Sequence, residues 1–256
     1  MILTAKRLSF HYGAMRVLHE VDLTIEPGIT AIVGPNAAGK STLMKCLGGI
    51  LKGDGKICLD GEDIAQWPTM QTAQRIGYLP QDFAPQALLS VFETILLGRL
   101  NTLGWQVSDD DIARVEAMLS EMQLEELGQR RLDQLSGGQA QLVAIAQALV
   151  REPEVLLLDE PTSNLDLRRQ FEVLSFVRDW TKRKEAASVV AIHDLNLAAR
   201  FADRIVVMSD GRIHSHGVPA TVLTRETIAA VYSVEAHIVV EDGETYIHVT
   251  GTLPAP

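Results

Sequence analysis

The run Gly34-Pro35-Asn36-Ala37-Ala38-Gly39-Lys40-Ser41-Thr42 fits the pattern G-x-x-x-x-G-K-[ST]. Its chemistry would be phosphate binding. Glycines let backbone N–H groups converge on phosphate oxygens at the start of a helix, the Lys40 ammonium can reach the β- and γ-phosphates of a nucleotide, and the Ser41 hydroxyl can ligate Mg²⁺. A second cluster ends the apolar run Val155-Leu156-Leu157-Leu158, where Asp159 and Glu160 follow one another. An acid pair at a strand end ordinarily serves as a solvated turn or a helix cap. Beside a phosphate loop the same pair acquires work: Asp159 suits the Mg²⁺ shell and Glu160 suits polarising an attacking water.

These residues need elements that hold them. The first third reads as short strands, at about 2–10, 17–25 and 29–33, with Glu26-Pro27-Gly28 as a turn. After Lys40, Leu43, Met44 and Leu47 fall at helical spacing, so the glycine-rich loop joins a strand to a helix, the context that such a loop requires. From about 85 to 150 the pattern is helical. One helix starts near Ser90, and a second opens at Ser108 with three aspartates and carries Ile112, Val115, Leu119 and Met122 on one face; a third follows Gly137-Gly138. The rest alternates again, with strands at 155–158, 188–192 and 205–208 around a helix at 167–182, then a small extension with a helix at 226–231 and strands near 238–240 and 246–249. Such alternation implies an α/β fold with a mainly parallel sheet covered by helices. The expected organisation is a single domain, with 1–84 and 151–256 as the catalytic core and C-terminal extension and 85–150 as an inserted helical subdomain.

Composition narrows the setting. The 256 residues suffice for one large domain, and 46% hydrophobic with 22% charged residues is ordinary for a globular chain. A net charge of −10 argues against a nucleic-acid partner. Cys46 and Cys58 are too few for a disulfide framework and lack zinc-ligand spacing, which leaves them as small buried apolar residues. Neither a membrane span nor a signal peptide is legible, so any membrane work requires another subunit to supply the spans. No internal repeat suggests twin cassettes.

Leu135-Ser136-Gly137-Gly138-Gln139 discriminates among phosphate-binding families. It resembles the signature motif of ABC ATPases. Other residues match that family in order: Tyr12 in His11-Tyr12-Gly13, Gln81 in Gly77-Tyr78-Leu79-Pro80-Gln81, Ser163-Asn164-Leu165-Asp166, and His193 after an apolar strand. Together with the phosphate loop they span residues 12 to 194. The resemblance implies a P-loop NTPase cassette with a mainly parallel core sheet, an antiparallel β subdomain and an inserted helical subdomain. It further implies ATP and Mg²⁺ as ligands, with Tyr12 stacking on adenine and Gly34 to Thr42 cradling phosphates. Ser41, Gln81 and Asp159 would surround the metal, while Glu160 and His193 would place the water beside Lys40 and Gln81. Ser136, Gly137, Gly138 and Gln139, with Asp166 of the interface loop, would act on ATP held by a second copy of the chain. Two positions depart from the family pattern: Ala37, where glycine is usual, and Ala140, where a charged residue commonly follows the signature glutamine.

For cargo, Leu96-Leu97-Gly98-Arg99, the stretch from Asn164 to Gln170 and the tail from Gly217 to Tyr232 resemble importers of iron-siderophores, haem and cobalamin. This implies a peripheral subunit at the cytoplasmic face of the membrane, working with permease subunits and, through them, a substrate-binding protein. An ABC exporter ATPase and a non-transport ABC ATPase are the alternatives. The second would need a long coiled coil or a second cassette, and a coiled coil has no room between Lys40 and Ser136.

Overall fold

The run Val155–Leu158 is continuously apolar rather than alternating, which suits a strand covered on both faces. The computed structural model, which describes residues 1–81, 88–99, 107–163, 165–241 and 243–253, places it so. It forms β7 (Val155–Asp159) in a six-stranded sheet with β6 (Ile76–Leu79), β8 (Ala187–Ala191), β3 (Gly28–Val33), β9 (Arg204–Ser209) and β10 (Arg212–Gly217), in the spatial order β6-β7-β8-β3-β9-β10. All neighbours pair in parallel except β10, which returns antiparallel to β9. Successive residues feed opposite cores. Leu156 and Leu158 pack into one cluster while Val155 and Leu157 pack into the other, and Val33 and Ile32 divide in the same way.

On one face, α1 (Lys40–Leu47) is enclosed by an antiparallel sheet of order β2-β1-β4-β5, built from β1 (Leu3–Tyr12), β2 (Met15–Ile25), β4 (Asp54–Leu59) and β5 (Glu62–Asp63). Cys46 and Cys58 are both buried and free. After α2 (Thr69–Arg75) the chain enters β6. The other face is covered by α3 (Val91–Leu97), α4 (Asp109–Glu121), α5 (Gly137–Leu149), α6 (Leu167–Lys184) and α7 (Leu195–Phe201). Beyond β10, α8 (Pro219–Val222) and α9 (Arg225–Tyr232) lead to a hairpin of β11 (Val234–Glu241) and β12 (Glu244–Thr252).

This α/β architecture has the mainly parallel sheet, antiparallel subdomain and helical layer that the sequence implies, with added elements and adjusted edges. β4, β6 and β10 were not resolved as strands by pattern: β4 begins on three exposed polar residues, β6 has four residues, and β10 alternates histidine and arginine with half-buried positions. α6 runs to Lys184 rather than 182, and β8 starts and ends one residue early. Asn164 and Pro85, the expected start of the helical region, lie outside the described residues. The inner face of α4 is also corrected. Ile112 is exposed, and Asp111, Val115, Met118 and Leu119 point inward. The reason is an ion pair: Arg99 Nε donates to Asp111 Oδ1 at 2.5 Å, which gives a charged residue an inward place. The Ser108 hydroxyl and then the Arg99 guanidinium hold the Asp111 carboxyl down at about 2.

Gly98, at the end of α3, meets α5 too closely for any side chain. A Cβ there would stand 2.2 Å from the Gln147 carbonyl oxygen. Gly98→Ala is therefore expected to destabilise the fold by about 1–3 kcal/mol through forced separation of α3 and α5. Chemical denaturation with an unchanged midpoint would contradict that packing.

Candidate nucleotide site

In a parallel sheet the strands end on one edge, so the residues that follow them converge. Gly34 follows β3, Gln81 lies just beyond β6, Asp159 and Glu160 end β7, and His193 lies just beyond β8. The chain is brought together there from four separate segments.

Gly34 has φ +150°, and a Cβ on it would approach the Met208 carbonyl oxygen to 2.3 Å, so only glycine fits this entry to the loop. Lys40 is 5% exposed, and its ammonium donates to the carbonyl oxygens of Gly34 at 2.8 Å and Pro35 at 3.0 Å. Burial lowers its pKa, against the opposing fields of Glu160 and Asp159. α1 begins at Gly39 without a side-chain cap, whereas α3, α4, α5, α6, α7 and α9 are capped by Ser90, Ser108, Ser136, Asp166, Asp194 and Thr224. An uncapped helix start offers its first-turn N–H groups to an external anion. The buried ammonium lies at that same end, so the loop fits a polyphosphate.

The Ser41 hydroxyl donates to Asp159 Oδ1 at 3.1 Å, and the Tyr78 hydroxyl reaches the other oxygen at 3.4 Å. Asp159 is 1% exposed, and burial raises its pKa, opposed first by the Ser41 hydrogen bond. Among the described residues no group of three or more His, Cys, Asp or Glu could hold a metal alone. A hydroxyl and one carboxylate are instead the donor set of Mg²⁺, which is usually completed by phosphate oxygens and water.

Glu160 occupies the centre. Its backbone is left-handed, φ +52°, fixed by a tight turn in which the Ser163 N–H and hydroxyl donate to the Glu160 carbonyl oxygen at 3.1 and 2.9 Å. One carboxylate oxygen accepts from Gln81 Nε2 at 2.8 Å, and the other lies 2.5 Å from His193 Nε2. The sequence-predicted residues Lys40, Ser41, Gln81, Asp159, Glu160 and His193 are thus gathered at one edge.

Others stand apart. Tyr12 is half exposed on the β1–β2 hairpin, edge-on to Phe10, with Met15 opposite it. Ser136 caps α5 by accepting from the Gln139 N–H at 3.3 Å, while Gln139 Oε1 accepts from the Ser136 N–H at 3.0 Å. This leaves Ser136 and Gly137 exposed as a second helix start, and Gly138 packs beside Leu165. Asp166 caps α6 through the Arg169 N–H at 2.9 Å. Tyr78 was missed by sequence reasoning; it becomes a partner of Asp159 only through the pairing of β6 with β7.

The ABC transporter family model matches residues 18–163, more than half of the chain. The chain belongs to the ABC transporter ATP-binding cassettes. This cassette is 42% identical over 240 residues to an ABC transporter ATP-binding protein of Methanocaldococcus jannaschii, covering 93% of this chain and 94% of that one. It is 36% identical over 241 residues to a hemin import ATP-binding protein of Thermobifida fusca, covering 93% and 84%. Among solved structures, a chain of an inward-facing metal-chelate type ABC transporter superposes with a TM-score of 0.82 at 28% identity, covering 97% and 96%. A dimeric cassette bound to ADP and phosphate gives 0.77 at 28% identity, covering 85% and 98%. The protein is an ABC-type ATPase, and the loop from Gly34 to Thr42 lies inside the matched region. Among the described residues no helix is long and apolar enough to cross a membrane.

The two departures from the family pattern now have places. Ala140 is buried in α5. Ala37 adopts φ +63°, a left-handed conformation that disfavours a Cβ. Ala37→Gly is expected to stabilise the nucleotide-free protein by about 0.5–1 kcal/mol, read as a higher unfolding midpoint. A lower midpoint would show that the loop does not hold this conformation.

Asp159 gives a pH test. Its folded pKa lies above the unfolded value, so the folded state gains protons first and loses stability as pH rises through the folded pKa. Asp159→Asn is expected to raise the melting temperature of the nucleotide-free protein at pH 7. The gain should shrink as pH falls into the carboxylate range, and a gain independent of pH would refute the assignment.

Proposed function

We propose that this cassette hydrolyses Mg-ATP as a head-to-tail dimer and energises an importer, taking up a metal chelate such as an iron-siderophore, haem or cobalamin through a separate permease. The observation that carries the hydrolytic reading is the Glu160 carboxylate, suspended between Gln81 and His193 beside Lys40, Ser41 and Asp159. The import reading is supported by the hemin import relative and the metal-chelate type neighbour. It places the cassette at the cytoplasmic face of the membrane, with a substrate-binding protein acting through the permease.

In this reading Lys40 and the first-turn N–H groups of α1 hold the β- and γ-phosphates, and Gly34, Asn36, Ala37, Ala38, Gly39 and Thr42 shape or line the cradle. Tyr12 supplies a face for adenine. Ser41, Asp159 and Gln81 would hold Mg²⁺, which would supply charge neutralisation at the phosphate oxygens. Glu160 exchanges its hydrogen bond from Gln81 for one from water and accepts a proton as that water attacks the γ-phosphorus. The bond from that phosphorus to the bridging oxygen breaks, giving ADP and phosphate. His193 holds the water and the γ-phosphate in line.

Ser136 and Gly137 are exposed on their own chain, and Gly138 and Gln139 beside them are half-buried. In the dimer they would meet the γ-phosphate on the partner, with Asp166 at the crossing loop, so neither copy completes a site alone. The dimeric ADP-bound neighbour supports this arrangement. Residues 85–150 would then move as a helical unit against the core formed by 1–84 and 151–256, with Gln81 at the junction.

Glu160→Gln is expected to lower kcat by about 10²–10⁴-fold, the usual worth of a positioned base. ATP binding should persist, and gel filtration with Mg-ATP should show a lasting dimer. Hydrolysis at the native rate would remove Glu160 from this role. Reconstitution with the neighbouring permease tests import separately: haem or siderophore uptake dependent on Glu160 supports it, and outward transport sinks it.

A further inference from the structure

The segment beyond β10 takes no part in the chemistry above, yet it is bonded to the helix that follows His193. α7 starts two residues after that histidine, and its cap Asp194 accepts from the N–H groups of Asn196 at 2.8 Å and Leu197 at 3.0 Å. Asn196 turns its side-chain amide onto the outer edge of β12. The Ile247 N–H donates to Asn196 Oδ1 at 2.8 Å, and Asn196 Nδ2 donates to the Ile247 carbonyl oxygen at 3.2 Å. One side chain thereby satisfies both backbone groups of Ile247 on that edge, as a third strand would.

Further contacts reinforce the junction. The Ile247 side chain enters the main core, and Arg200 pairs with Glu244 at 3.4 Å. Leu197, Ala198 and Phe201 fix the inner side of α7, while Asn196 and Arg200 tie its outer side to the hairpin. On the other flank, Tyr232 of α9 is half-buried, its buried hydroxyl against the Gly34 backbone without full hydrogen-bond geometry to any group among the described residues.

The histidine sits between two anchors. Before it, the Ile192 N–H donates to the Ile32 carbonyl oxygen at 3.1 Å; after it comes the short helix α7. The His193 ring itself is half exposed and touches Glu160 at 2.5 Å. Small displacements at such a contact cost rate steeply, about 10²-fold for 1 Å. We propose that Asn196 is a positioning residue for ATP hydrolysis: by bonding α7 to β12 it fixes His193 against Glu160, and the C-terminal hairpin thereby sets the turnover rate. The proposal rests on the role given to His193 above.

The test uses the full-length chain and steady-state ATPase kinetics well below the melting temperature. Asn196→Leu removes both hydrogen bonds at similar volume, and Asn196→Asp keeps the acceptor but loses the donor. The leucine variant should lose about tenfold or more in kcat with KM for Mg-ATP within about twofold, and the aspartate variant should fall between it and the native protein. Glu244→Ala, which removes the exposed Arg200 pair and the Tyr246 hydrogen bond but leaves both Asn196 bonds in place, should hydrolyse normally. His193→Ala separates the two readings. If it retains native turnover, the assignment of His193 fails; if it is inactive while Asn196→Leu keeps native kcat and loses only melting temperature, the positioning role is overturned. A loss confined to KM overturns it as well. Should the leucine variant fail to fold, the aspartate variant decides by the same kcat and KM criteria.

Discussion

A buried ammonium that forms no ion pair among the described residues dictates the design of this site. The Lys40 side chain is held by the carbonyl oxygens of its own loop, which supply partial charge but no full counter-charge. Burial alone would favour its neutral form, and Asp159, buried a short way off, faces the opposite penalty. Each group is costly where it stands, and each suits a ligand of opposite charge: an anion for the lysine and the helix start, a cation for the aspartate. A ligand bound to the folded state alone would recover the stability given up here, the exchange expected where a fold stores function.

That exchange needs a rigid support, and the parallel sheet provides it. Both faces are covered, so β3, β7 and β8 are almost wholly buried, and their shared end presents the site residues at a fixed spacing. Gly34 fits against Met208 of β9 because it lacks a Cβ, and the left-handed turn at Glu160 brings that carboxylate between Gln81 and His193. Ala37 and Glu160 both hold left-handed backbone in the site, a conformation that eight other non-glycine residues among those described also adopt in turns and bulges elsewhere. The helical face presents a different surface. Ser136 caps its own helix with its oxygen, and it and Gly137 remain exposed, so this helix start is held rigid yet open at the surface.

Much of this was legible because it is local. The phosphate loop is nine consecutive residues between a strand pattern and a helix pattern, and Asp159-Glu160 end a run whose continuity already implies a doubly covered strand. Helix starts at Ser90 and Ser108 follow from one side chain bonding to an N–H three residues on. The pattern failed where a neighbour from elsewhere decided the outcome. Ile112 looked like a core position, yet the arginine at 99 drew Asp111 inward instead. β4 carries exposed polar residues where it pairs with β1, and β10 carries them at the edge of the six-stranded sheet.

By itself the sequence determined which groups this protein can offer to phosphate, metal and water, and that they sit at the ends of strands and the starts of helices. Those properties depend on residues a few positions apart. Tertiary structure alone decided that Glu160 is shared by Gln81 and His193, that Tyr78 reaches Asp159, and that Asn196 closes the edge of a hairpin 51 residues away. Such contacts depend on strand order and helix orientation, which are settled by the packing of two cores across one sheet, and no spacing along the chain encodes the distances that result.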